Sequence, residues 1–262
     1  MTVPAPRPGA HQESRPRAGN WHLERRGGTV RQLHEKSAAL ATSVPAVAGV
    51  TTGTAKATPS ASRRVIVMSP LDRALVLGST QPDGAADHLA CTAAGYDVVR
   101  RRSGGGAVLV VPGGQLWVDV WLPFGDPLWQ SDVGRAAWWL GEAWARALEA
   151  VGVSGAQVWR RPMERSQWSS LACFAGRAAG EVIGADGAKI VGISQRRARH
   201  GALFQSSCLL RWDAPGLAAL LGVAAGERLA AARALQRVAV GVGEERGPAV
   251  LSALIAALAA LP

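Results

Sequence analysis

Short aliphatic runs broken by glycine and proline fill the middle of this 262-residue chain, and alanine- and leucine-rich segments fill its end. Runs of β-branched and aliphatic residues between turn formers read as strands. They fall at 64–68, 74–78, 97–101, 108–111, 116–122, 156–159, 180–183 and 189–195. Apolar residues recurring every three or four positions read as helices. The clearest spans 132–151, with Val133, Ala137, Leu140, Trp144, Leu148 and Val151 on one side, Asp132 as cap and Gly152 as stop. Further helices are expected over 27–37, 84–94 (capped by Asp83), 214–222, 226–240 and 247–261. Successive strands with helices to cover them predict an α+β domain built on a mixed or antiparallel sheet. Pro112-Gly113-Gly114 reads as the turn of a hairpin joining 108–111 to 116–122, and Ala185-Asp186-Gly187 as that of a second joining Glu181 to Lys189. Asp119 interrupts an apolar strand, so it lies on a solvent face or belongs to a site.

The chain carries a net charge of +10, unevenly spread. Residues 1–64 hold ten Lys/Arg against three Asp/Glu, and the remainder nineteen against sixteen. Nucleic-acid binders concentrate basic charge on a folded face, so a basic leading segment argues against that class. Residues 1–19, with Pro4, Pro6, Pro8 and Pro16 and few apolar residues, read as a disordered basic tail. Residues 20–262 read as one domain, with a flexible Ser/Thr/Ala-rich loop near 42–62 and a helical C-terminal segment at 213–262. No run reaches the eighteen or so apolar residues of a membrane span. A monomer with no membrane or nucleic-acid partner is expected.

Cys91, Cys173 and Cys208 form no CxxC pair, and the five histidines are scattered. No metal-ligand spacing results, so no protein metal site is expected. An odd number of cysteines without a secretion signal points to the reducing cytoplasm. Lys189 is the last of only three lysines among 29 basic residues. A position that keeps lysine where arginine is the rule needs a compact ammonium with rotatable donors.

The densest chemical signal is Arg100-Arg101-Arg102-Ser103-Gly104-Gly105-Gly106-Ala107-Val108. Consecutive glycines let backbone approach a ligand closely, and arginines supply forked donors for phosphate or carboxylate. A basic turn between strands would look the same. A second segment, Lys189-Ile190-Val191-Gly192-Ile193-Ser194-Gln195-Arg196-Arg197, lies downstream, and a third, Leu75-Val76-Leu77-Gly78-Ser79-Thr80-Gln81, upstream.

In this order and spacing the three segments resemble the biotin/lipoate protein ligase catalytic-domain family, in its lipoate–protein ligase A-like branch, over about residues 20–212. The resemblance implies a class II aminoacyl-tRNA synthetase/biotin synthetase-like catalytic fold. It also implies activation of lipoate or octanoate by ATP with Mg2+ as an acyl-adenylate, then transfer to a lysine of a lipoyl carrier domain or glycine-cleavage H-like protein. Lys189 would be catalytic at the carboxylate–phosphate junction. Arg101, Arg102, Ser103, Gly104, Gly105, Gly106, Ala107, Gly192, Ser194 and Gln195 would bind substrate and adenylate. Val108, Val110, Trp117 and Val118 are candidates for the wall of an acyl slot by strand position. The sequence departs from relatives after the glycines, where Leu109-Val110-Val111-Pro112 replaces an aromatic-His-Asp run.

Cys173 supports a rival within the same superfamily, an ATP-independent octanoyl or lipoyl transferase working through a Cys173 thioester. A buried structural thiol is the plain alternative. The lost His–Asp pair keeps open a third reading, a non-catalytic acyl- or carrier-binding protein.

Overall fold

A computed structural model describes residues 21–40 and 62–262. The expectations for residues 1–19 and nearly all of 42–62 lie outside the described residues. Among the described residues ten strands form two sheets. The strands are β1 (Trp21–Gly28), β2 (Arg63–Pro70), β3 (Ala74–Leu77), β4 (Asp97–Arg100), β5 (Val108–Val110), β6 (Gln115–Pro123), β7 (Gln157–Val158), β8 (Val182–Ile183), β9 (Lys189–Ala198) and β10 (Gly201–Leu209). The large sheet runs β1-β2-β6-β10-β9-β8-β7 and the small one β4-β3-β5. Among the strand pairs of the described residues, β1–β2 and β3–β4 are parallel and the others antiparallel. This is the mixed α+β architecture expected from the sequence. The helices are α1 (Val30–Leu40), α2 (His88–Ala93), α3 (Trp138–Ala150), α4 (Ala214–Leu220), α5 (Arg228–Gln236) and α6 (Gly247–Ala259).

Strand alternation sorts side chains into layers. Val65, Val67, Val118 and Val120 pack with α3 and α6 on one face of the large sheet. Ile66, Met68 and Trp117 point the opposite way, against α1 and the small sheet. The far face of the small sheet packs against α2, α4 and α5 through Leu75, Leu77, Cys91, Leu217 and Leu235. The large sheet is therefore covered on both sides, and the space between the sheets is interior.

That layering corrects several sequence expectations. Strands β5 and β6 are not a hairpin: β5 pairs with β3, while β6 lies between β2 and β10 with both edges taken. The Pro112-Gly113-Gly114 turn instead carries the chain from one sheet to the other. Asp119 has no solvent face because its side of β6 meets α1; it is fully buried. Helix α3 starts at Trp138, since Asp132 accepts from Gly134 N–H (2.8 Å) and closes a local turn, leaving Val133 exposed. Helix α2 is capped by Asp87, which accepts from Ala90 N–H (2.9 Å), after a 3-10 turn at Asp83–Ala85. Strands β1 and β10 carry no clear sequence signal and appear only in the sheet.

The first helix begins a little later than expected, at a reciprocal cap. Gln32 N–H donates to Thr29 Oγ1 (3.2 Å) and Thr29 N–H donates to Gln32 Oε1 (3.0 Å), a capping box. Among α3 side chains, Leu140 and Trp144 are fully enclosed. Leu140→Ala should therefore destabilise by about 2–5 kcal/mol, read as a lower denaturant midpoint with unchanged far-UV signal before the transition.

Candidate active site between the sheets

The glycine loop connects β4 to β5 and is fastened from several sides. Arg101 is buried and donates to the carbonyls of Val76 (3.2 Å), Gly104 (2.8 Å) and Gly106 (2.8 Å). Arg100 donates to the carbonyls of Gly78 (3.0 Å) and Gln81 (2.6 Å). Gln81 accepts from Gly78 N–H (2.9 Å) and donates to Ser170 O (2.8 Å). Arg102 is exposed. Two of the three arginines thus shape the loop rather than offering free charge. Gly105 adopts φ +96°, and a Cβ on Gly106 would lie 2.5 Å from Ala172 C. A side chain at 106 has no room, which explains the glycine there. Ala107 N–H donates to Leu171 O (2.7 Å) and its carbonyl accepts from Cys173 N–H (2.9 Å), so Ala107 stays in this seam. Among the described residues the N–H groups of Gly104, Gly105 and Gly106 have no hydrogen-bond partner. Successive unpaired N–H groups form an anion-binding concavity.

Lys189 opens β9 and is 1% exposed. Its Nζ donates to Glu181 Oε2 (2.9 Å) and to the Cys173 carbonyl (2.9 Å), and lies 5.1 Å from the centre of the Phe174 ring. Glu181 also accepts from Ala178 and Ile193 N–H. The Lys189 backbone is pinned too: its N–H donates to Val238 O (2.8 Å), and its carbonyl accepts from Val240 N–H (3.0 Å). The C-terminal segment therefore fixes where this lysine stands. Glu181 was missed as a site residue by the sequence reading. The only signal was its position across the β8–β9 hairpin, whose register pairs Ile183 with Lys189.

Two adjoining cavities meet at Cys173, Ile193 and Ser194. The first, about 570 Å³ including its mouth, has apolar walls that include Val76, Val108, Val110, Trp117 and Phe174. Gly192 and Gln205 also line it. Val118 does not, since it points into the opposite core layer. The second is an open cleft of about 1490 Å³ including its mouth. Ser103, Gly104, Gly105, Gly106, Lys189 and Gln195 line it. Gln195 is held there by a bond from Nε2 to Val133 O (3.2 Å). Arg101 reaches the apolar cavity rather than the cleft.

The lining donors do not form a metal site. Among the described residues no three His, Cys, Asp or Glu side chains converge. The carboxylates in the cleft, Glu164 and Glu181, are paired with Arg177 and Lys189. They do not fit a Mg2+ ion held by the protein itself.

Residues 54–243 match the model of the lipoyl protein ligase A/B catalytic domain. The chain belongs to this family. Among curated protein sequences, none matches it. Solved structures share the fold at low identity. A bipartite lipoate protein ligase from Thermoplasma acidophilum, described with its E2 lipoyl domain, is 17% identical with a TM-score of 0.64, covering 91% of this chain and 82% of that one. A lipoate-protein ligase A bound with ATP is 19% identical with a TM-score of 0.63, covering 91% and 83%. P. falciparum LipL1 in complex with lipoate is 12% identical with a TM-score of 0.61, covering 91% and 61%.

Two titratable groups of the ligase-family domain sit beside the apolar cavity, a half-buried His34 and a fully buried Asp119. His34 stacks on Trp117 with ring centres 4.5 Å apart. Burial, reinforced by the Arg101 charge, pushes it down to about 4. Burial pushes Asp119 up to about 6, against the hydrogen bonds from Ser37, Trp117 and Gln205 and the Arg26 charge. Between pH 4 and 6.5 folded His34 binds fewer protons than the unfolded chain, so its contribution falls as pH falls. Between 3.8 and 6 folded Asp119 binds more, so its contribution falls as pH rises. Each trend is on the order of 3 kcal/mol at full extent, and they oppose. In His34→Gln, denaturant midpoints should therefore rise as pH is lowered from 6.5 to 4.5, while the wild-type midpoint changes much less. Gly106→Ala should cost about 1–3 kcal/mol and weaken anion binding in the cleft, measured by titration calorimetry with pyrophosphate.

Proposed function

We propose that this protein is a lipoate–protein ligase-like enzyme. It activates lipoate or octanoate with ATP as an acyl-adenylate and passes the acyl group to a lysine of a lipoyl carrier domain or H-like protein. One observation carries the reading: an apolar cavity opens at Cys173, Ile193 and Ser194 into a cleft lined by the glycine loop and Lys189. An acyl chain belongs in the first compartment and an anionic nucleotide in the second, so the acyl carboxyl comes to rest where they meet.

In the first step a carboxylate oxygen attacks the α-phosphorus and pyrophosphate leaves. The unpaired N–H groups of Gly104, Gly105 and Gly106 receive phosphate oxygens. Lys189 has three donors, and two are held by Glu181 and the Cys173 carbonyl. The third is left for the carboxylate–phosphate junction, where negative charge grows. Ser194 and Gln195 line the same junction and cleft. In the second step the carrier lysine, as a free amine, attacks the acyl carbonyl. AMP departs and the amine loses a proton to solvent. Arg102, exposed beside the loop, is the arginine still free to meet phosphate or an approaching carrier. Cys91, Cys173 and Cys208 are free thiols, in keeping with work in the cytoplasm. Among the described residues no helix is long and apolar enough to cross a membrane.

A second reading has its own observation. Cys173 lines both cavities, at the point where an acyl carbonyl would sit. Its thiolate would attack an acyl-carrier carbonyl, release that carrier's amine or thiol, and hold the acyl group as a thioester. Lys189 donates to the Cys173 carbonyl, so the ammonium addresses the backbone of this residue.

Pyrophosphate release on mixing octanoate or lipoate with ATP tests the leading reading. It should be saturable and should survive Cys173→Ala. Lys189→Arg should lower it about 100-fold or more, as loss of an oxyanion donor does. Acyl transfer that needs no ATP and releases no pyrophosphate, together with a hydroxylamine-sensitive adduct at Cys173 by intact mass, would replace it with the thioester route. Carrier binding with neither activity would leave a binding protein. Glu181→Gln should lower pyrophosphate release, because it leaves the buried Lys189 ammonium without its counter-charge.

A further inference from the structure

Asp119 is the buried carboxylate that the mechanism above leaves unused. It anchors a hydrogen-bonded chain across four elements. Its Oδ2 accepts from Ser37 Oγ of α1, and its Oδ1 accepts from Trp117 Nε1 (2.7 Å). Gln205 Nε2 of β10 donates to Ser37 Oγ (3.0 Å) and, at 3.5 Å, to Asp119 Oδ2. Ser103 Oγ, at the start of the glycine loop, donates to Gln205 Oε1 (3.2 Å). Ser37, Ser103 and Asp119 are each at least nine-tenths buried.

The inventory of donors and acceptors fixes the direction of this chain. An ionised carboxylate only accepts. Ser37 therefore gives its single proton to Asp119 and can only accept from Gln205. The Gln205 amide must present its NH2 group to Ser37 and its oxygen to Ser103. Ser103 must then direct its one proton away from the cleft it lines. We propose that Asp119 is a positioning residue which, through Ser37 and Gln205, makes Ser103 a hydrogen-bond acceptor toward the cleft, and that protonating Asp119 reverses the chain and makes Ser103 a donor. With Asp119 ionised, Ser103 selects an O–H or N–H group of the ligand, such as a nucleoside hydroxyl or amine. Phosphate is left to the glycine N–H groups. This assigns the nucleoside end of the substrate to Ser103 and rests on the nucleotide reading above.

The reversal falls in an accessible range, since burial holds Asp119 near 6. Among the described residues the charged and titratable groups around it are Arg26, His34 and Arg101. Arg26 of β1 favours the carboxylate. His34 of α1, stacked on Trp117, is neutral above about 4. Arg101 of the glycine loop acts on His34. Across the sheet, Asp119 faces Ile66 of β2 and Gln205 of β10, neither of which titrates.

The test follows the Asp119 carboxyl carbon and the Gln205 side-chain amide by NMR in the full chain without ligand, from pH 4.5 to 8. Both signals should shift with one midpoint near 6, and Asp119→Asn should flatten the Gln205 response. Ser37→Ala keeps the carboxylate and its longer direct contact with Gln205 (3.5 Å), removes the serine relay between them, and should reduce that response without abolishing it. A Gln205 amide that stays flat while Asp119 titrates overturns the proposal, as does an Asp119 that does not titrate in this range. Binding provides the second arm. At pH 7.5 Ser103→Ala should weaken ATP severalfold and leave pyrophosphate unchanged, whereas at pH 5 it should weaken pyrophosphate. Equal loss of pyrophosphate at both pH values overturns the assignment of Ser103. The NMR arm needs no activity, so failure of the nucleotide reading would show as absent ATP binding with the coupled titration intact.

Discussion

The site depends on a buried ammonium. Lys189 is enclosed among Glu181, the Cys173 carbonyl and the Phe174 ring. Burying two charges costs several kcal/mol per ion unless the geometry is good and the remaining lone pairs are satisfied. Here Glu181 also receives two backbone N–H groups, so its oxygens are occupied. The pair ties together the segment before β8, the start of β9 and the 3-10 turn at Cys173–Ala175. Removing either partner would strand a charge in the interior, a loss of about 3–5 kcal/mol in comparable cases. That makes the pair a strong determinant of one local arrangement.

Around this pair the chain builds a seam between the two sheets. The glycine loop leans on residues 171–173 through the bonds of Ala107, and Gln81 ties its own turn to the same segment. Arg101 donates to the loop carbonyls of Gly104 and Gly106, and Arg100 to those of Gly78 and Gln81 in the adjoining turn. A loop so fixed keeps its glycine N–H groups in place before any ligand arrives. Preorganised donors of this kind avoid reorganisation during the reaction.

Much of the scaffold was legible in the residues. The apolar runs at 64–68, 74–78 and 189–195 became β2, β3 and β9, and the C-terminal helices formed close to their expected bounds. Those signals are local: side-chain periodicity and turn residues act within a few positions. The hairpin expected over Pro112-Gly113-Gly114 failed because pairing partners are chosen by sheet edges, which the sequence does not display. Asp132 and Asp83 were read as helix caps, yet neighbouring backbone offered each a closer turn.

The sequence by itself determined that three arginines run into three glycines at 100–106, that a lone late lysine at 189 is unusual, and that successive strands with helices to cover them make an α+β domain. These are read from single residues and from periodicity. Tertiary structure alone decided that Arg101 serves the loop, that Glu181 meets Lys189, and that Asp119 reaches Ser103 through Ser37 and Gln205. Those contacts join residues up to 168 positions apart. They exist only because two sheets close over one interior, where a buried polar group gains by finding a partner.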